Sequence, residues 1–84
     1  MRLFLQQRPG SGEPPRFVQL VLQQDLLGGW TLLREAGHVG GKSQLRKEQF
    51  LERDLAIAAF EKARDQQVKK GFQIMFAHGE HAPR

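Results

Sequence analysis

One stretch of this chain repeats clearly with a helical period. From Leu51 onward, Ala56, Phe60, Ala63 and Gln67 recur at helical spacing, and Ile57 and Val68 widen the stripe. That segment constrains the rest of the molecule. A helix with one apolar stripe must bury it against a second layer, and the other apolar runs are short and separated by glycine and proline breaks, as strands are. Glu52 and Asp54 near the start, Lys69 and Lys70 at the end and Gly71 just after suit the helix macrodipole and a left-handed C-cap. Gln49, Phe50 and Leu51 are poor N-caps. The pattern predicts a helix over about Glu52–Lys70.

Arg2 to Gln6 alternates around Leu3 and Leu5 and reads as a short strand. Arg8 to Pro15 holds three prolines and two glycines in eight residues and reads as a loop. Arg16–Gln23 is a second strand, and Gly28-Gly29 breaks the chain. Trp30–Glu35 is a third strand, in which the adjacent Leu32 and Leu33 leave open which face is buried. Gln44–Phe50 reads either as sheet or as the start of a helix, because Arg46, Lys47 and Glu48 fit both. Phe72–Phe76 is a last strand. Ala77–Arg84 is polar and is expected to be a flexible tail. The expected fold is α+β: a small, mainly antiparallel sheet with the single helix packed on one face, one domain over 1–76 and a tail over 77–84.

A chain of 84 residues allows one domain with a modest core. The absence of cysteine removes disulfides, thiolate metal sites and cysteine nucleophiles, and suits a reducing compartment. No apolar run approaches the ~20 residues of a membrane span. The apolar stretch at Met1–Leu5 is shorter than the roughly 7–15 residues of a signal peptide core. A cytoplasmic location is the expectation. Net charge of +4 permits an acidic partner, nucleic acid included, and equally serves solubility. Ser11 and Ser43 sit in glycine-rich loops without an assigned histidine–carboxylate pair, and the carboxylates are scattered. His78 and His81 with Glu80 make too few ligands for a closed metal site. Neither an enzyme nor a cofactor is expected.

The segment "AGHVGGKS", Ala36 to Ser43, matches the phosphate-binding loop of nucleotide hydrolases. Such a loop must follow a buried parallel strand and open directly into a helix, so that backbone N–H groups and the helix N-terminus converge on phosphate. Here no second strand–helix–strand unit follows, and no apolar strand ends in an aspartate to hold magnesium. The preferred reading is a turn between two antiparallel strands, with Gly37, Gly40 and Gly41 supplying positive φ angles. In that reading Lys42-Ser43 opens no helix.

A wider frame carries a resemblance. Arg16-Phe17 opens a strand; "DLLGGWTLLREAGHVG" runs from Asp25 to Gly40; Phe50, Ala56-Ile57, Phe60 and Lys69-Lys70-Gly71-Phe72 come after it. Taken together, from about Leu3 to Phe76, this resembles the WGR domain, especially its short bacterial form. The resemblance implies a small sheet with one helix across it and a glycine-bearing hairpin that carries the Trp-Gly-Arg signature. Ala36 stands at the Trp position, Gly37 is kept, and His38 stands at the Arg position. Val39 and Gly40 match the small apolar residue and the glycine that usually come next in the family. In the poly(ADP-ribose) polymerases that carry this domain, the signature implies DNA-end binding, the Trp packing on a sugar and the Arg supporting the site. Alanine has no ring to stack, and a neutral imidazole has one N–H donor where arginine has five.

Two functions are expected: a weak, salt-sensitive nucleic-acid-binding module, or a protein-interaction module that has lost the DNA contacts. The candidate nucleic-acid-binding residues are Arg34, Gly37, His38, Lys42 and Lys47. Strand alternation puts Arg46 on the face opposite Lys47, so the cations Arg34, Lys42, Arg46 and Lys47 do not all converge. Phosphate contact and a solvated, aggregation-resistant sheet edge both account for them. Trp30 is read as core.

Overall fold

The computed structural model describes residues 1–8, 10 and 12–79. The element order is β1 (Arg2–Gln7), β2 (Arg16–Gln24), β3 (Trp30–His38), β4 (Ser43–Phe50), α1 (Arg53–Lys69) and β5 (Gln73–His78). The strands form one five-stranded antiparallel sheet in the order β4-β3-β2-β1-β5, and α1 lies across β2, β3 and β4 on one face. This is the α+β arrangement expected from the sequence. Its dimensions, 45 × 27 × 18 Å, leave the short axis room for one sheet and one helix.

Period-two alternation places Leu3 and Leu5 of β1, Val18, Leu20 and Leu22 of β2 and Leu32 of β3 on the helix side, all buried. The helix presents Ala56, Phe60, Ala63 and Gln67 to them, the stripe read from the sequence. Phe60 is 1% exposed and is the largest fully buried side chain. Leu32 faces this core, while Leu33 is half-buried on the opposite face. Trp30 is also half-buried: it packs at the core's rim with the Arg53 guanidinium 5.9 Å from its ring centroid.

Local chemistry sets the helix ends. Glu52 stands at the N-cap in extended conformation and makes no side-chain cap hydrogen bond, consistent with the missing cap in the sequence. At the other end, Gly71 N–H donates to the Val68 carbonyl and Phe72 N–H to that of Gln67, both at 3.0 Å, with Gly71 at φ +95°. This is a Schellman closure, which satisfies carbonyls that the last turn would otherwise leave open.

Several boundaries move. β3 extends three residues beyond Glu35, because its pairing with β2 continues to Arg16↔His38. The ambiguous Gln44–Phe50 segment is sheet, paired with β3 along its length. β5 runs to His78, past the boundary expected at residue 76: Ala77 pairs with Leu3 and His78 with Arg2. Of the expected tail, residues 80–84, including Glu80 and His81, lie outside the described residues, as do Pro9 and Ser11 of the first loop. Among the described residues, no helix is long and apolar enough to cross a membrane.

Phe60→Ala removes the side chain on which the two layers close. We expect a loss of roughly 3–5 kcal/mol in urea denaturation, a large part of the stability of a domain this size. A loss below about 1 kcal/mol would place Phe60 outside the core.

Candidate nucleic-acid interface

The hairpin between β3 and β4 is the organising feature. Gly37 pairs with Ser43, and Gly41 N–H donates to the His38 carbonyl at 2.9 Å. No helix begins at Lys42-Ser43, so the phosphate-loop geometry is absent: Ser43 opens β4. The expectation that three glycines supply positive φ is corrected. Among Gly37, Gly40 and Gly41, Gly40 alone has it, at +77°. Gly37 lies within a strand and is required for another reason. A Cβ there would collide with the Lys42 carbonyl oxygen and come within 2.7 Å of the Ser43 Cα. The bare Gly37 backbone therefore lets the two strands cross closely at the turn. Val39 N–H donates to the Pro15 carbonyl at 2.8 Å, which ties the turn to the entry of β2.

Register then determines which side chains share a face. On the helix side, Arg16 pairs with His38, Val18 with Ala36 and Leu20 with Arg34. Beyond the end of α1, Arg16, Val18, Arg34, Ala36 and His38 form one wall of an open cleft of about 380 Å³, and Gln67, Lys70 and Phe72 form the other. Arg16, Arg34, His38 and Lys70 all line it, and no described carboxylate does. Ala36 is exposed on its floor. Glu48 lies two pairs away along β3 and β4, on the same face, and its carboxylate stands 3.9 Å from the Arg34 guanidinium. The backbone beneath Lys70 is fixed as well: its carbonyl accepts a 2.8 Å hydrogen bond from Gln7 Nε2.

Of the five residues singled out in the sequence, Arg34, Gly37 and His38 line this cleft. Lys42 is exposed in the turn beside it without lining it. Lys47 pairs with Leu33 and projects from the opposite face, away from the site. Arg46 pairs with Arg34 and shares the helix side, as alternation requires. Sequence reasoning missed Arg16 and Lys70. The signal for Arg16 was the length of β3: once that strand reaches His38, its partner at the start of β2 is Arg16. Lys70 had no local signal beyond the end of a helix.

Among the described residues, no group of three or more His, Asp or Glu side chains could hold a metal ion. Comparison with family models, with curated proteins and with solved structures finds no match. The functional reading therefore rests on the geometry of the cleft.

Gly37→Ala tests the hairpin. The added methyl forces β3 and β4 apart, and we expect a destabilisation of about 1–3 kcal/mol, the usual cost of overpacking. The same change at an unobstructed strand glycine would be neutral or stabilising. Unchanged denaturant melts for Gly37→Ala would refute the close crossing.

Proposed function

We propose that this protein is a small non-catalytic binding module of the WGR type whose cleft takes nucleic-acid phosphate. The observation that carries the reading is the convergence of Arg16, Arg34, His38 and Lys70 on one cleft with no described carboxylate in its lining. The helix C-terminus beside them contributes a partial charge of about −0.5, which three permanently cationic side chains outweigh. The sequence resemblance to the short bacterial form of that domain supports the same reading, because Ala36-Gly37-His38 lies on the cleft.

The contacts are few and electrostatic. About three phosphates are neutralised, so binding to duplex ends is weak, with a log–log salt slope near −3. Fluorescence anisotropy with duplexes, nicked duplexes and single strands at low salt checks this. The double variant Arg16→Ala, Lys70→Ala lowers the slope by about two. Absence of binding at any accessible concentration would refute the reading.

The cleft has room where a signature ring would stand. Ala36→Trp with His38→Arg adds a stacking surface worth roughly 1–3 kcal/mol and one more guanidinium. We expect tighter binding to DNA ends by about tenfold or more, since ~1.4 kcal/mol corresponds to that factor. Stability changes by no more than ~0.5 kcal/mol, because position 36 is exposed. A folded double variant that still ignores DNA would count against the phosphate cleft.

A second reading, a protein-interaction or regulatory module, is favoured by a different observation. At the far end of the molecule Leu26, Leu27 and Leu51 are 104%, 97% and 92% exposed, and Leu55, one helical turn after Leu51 in sequence, is exposed as well. The β2–β3 turn meets the end of β4 there, since Gly29 sits against the Phe50 carbonyl. In this reading a nuclease-insensitive partner is lost with Leu26→Ser, Leu27→Ser and retained with Arg16→Ala, Lys70→Ala.

A further inference from the structure

The sheet has a second face, and among the described residues no element covers it. Strand register arranges its side chains in rows that cross all five strands. One row runs His78–Arg2–Val21–Leu33–Lys47, the next Phe76–Phe4–Gln19–Glu35–Leu45, and the third Gln73–Gln6–Phe17–Gly37–Ser43. Phe4 alternates with the buried Leu3 and Leu5, and Phe17 precedes the buried Val18, so both rings point away from the helix.

We infer that this open face is a stacking platform for the bases of a single-stranded nucleic acid. The inference goes beyond the phosphate cleft, uses the opposite side of the sheet and stands separately from it. An aromatic band crosses β5, β1 and β2. Phe76 sits directly opposite Phe4, whose ring stacks on Phe17 with centroids 5.9 Å apart and planes at 20°. Phe76 in turn stacks on His78, at 6.5 Å and 13°. Phe76 is 52% exposed, so its ring is open to a ligand. Beside this pair lies an open hollow of about 340 Å³, lined in part by Arg2, Val21, Gln23, Phe76 and His78. Ring faces accept any base by stacking, and an unpaired base can leave its own stack to reach them, which a duplex base does not do readily.

The polar groups fit the same ligand. Arg2 and Lys47 stand in one row, three strands apart, and place positive charge along one flank of the aromatic band. Glu35 is the one carboxylate in the three rows, and it accepts a 2.7 Å hydrogen bond from Ser43 Oγ. Gln6, Gln19 and Gln73 offer both donors and acceptors to base edges. A second copy laid on this face would set its own Arg2 and Lys47 into the same cationic, glutamine-rich surface, which charge complementarity disfavours. A polyanion with exposed rings complements Arg2, Lys47 and the phenylalanine rings.

The test compares a short oligothymidylate with an abasic strand of the same length, which has the phosphates without the bases. The wild-type protein binds the oligothymidylate about tenfold or more tightly than the abasic strand, and Phe76→Ala removes most of that difference. In ¹H–¹⁵N spectra of the wild-type protein, oligothymidylate shifts the amides of Arg2, Phe4 and Phe76, a readout that needs no variant to fold. Arg16→Ala, Lys70→Ala weakens the abasic strand, which the cleft holds through phosphate alone, and leaves the oligothymidylate shifts at Arg2, Phe4 and Phe76 in place. If that variant has no effect on the abasic strand, the cleft reading fails while the platform stands. Equal affinity for the two strands, or shifts confined to the cleft around Ala36 and His38, overturns the platform. So does concentration-dependent self-association that Phe76→Ala abolishes without any preference for oligothymidylate, since that assigns the face to a second copy.

Discussion

The fold depends on the burial of Phe60 among the inward leucines of β1, β2 and β3. Ala56 and Ala63 flank it on the same helical stripe and are as fully buried as Phe60 itself. With methyl groups on either side, the helix backbone lies close to the sheet and one large ring reaches into the space between the layers. Burying a ring of this size contributes about 1.5–3 kcal/mol, comparable to a large fraction of the net stability of a small domain. Leu3, Leu5, Leu20 and Leu32 belong to the same buried cluster, so the registers of three strands are coupled through one core.

One helix against five strands has a geometric consequence. Strands lie about 4.8 Å apart and a helix with its side chains is about 10 Å across, so α1 shields only part of one face. β4 shows the result: every residue from Ser43 to Gln49 is exposed. Arg46, Lys47 and Glu48 on that edge keep it from pairing with other chains. β5, the opposite edge, carries no Lys, Arg, Asp or Glu and is blunted instead by an irregularity in its pairing with β1, where the register shifts between Phe4 and Leu5. The same shortage of helix leaves the cleft open beyond Lys70 and the second sheet face bare.

The two surfaces divide by chemistry. The helix side ends in cations gathered around a small exposed residue, Ala36, and the open side carries a band of aromatic rings with Arg2 and Lys47 along one flank. Gly37 connects the two, because the close crossing it permits continues β3 as far as His38. A β3 that ended at Glu35 would leave Arg16 without its partner and the cleft with one wall.

The helix, its buried stripe, its C-cap and the sheet-plus-helix class were legible in the residues alone, because each rests on local periodicity or on a residue's own backbone preference. The strand ends were less legible, since where a strand stops depends on what it pairs with. Candidate cations near the glycine turn could be named, yet alternation did not tell which of them meet. Tertiary structure made that decision. It placed Arg34 and His38 together, sent Lys47 to the far face, and brought in Arg16 and Lys70 from positions remote in the chain. The band of Phe76, Phe4 and Phe17 has the same origin, since three phenylalanines in three separate strands share a surface only when register aligns them. Sequence pattern determined which groups each strand and the helix could present. Long-range pairing, driven by the single buried face, decided which of those groups became neighbours.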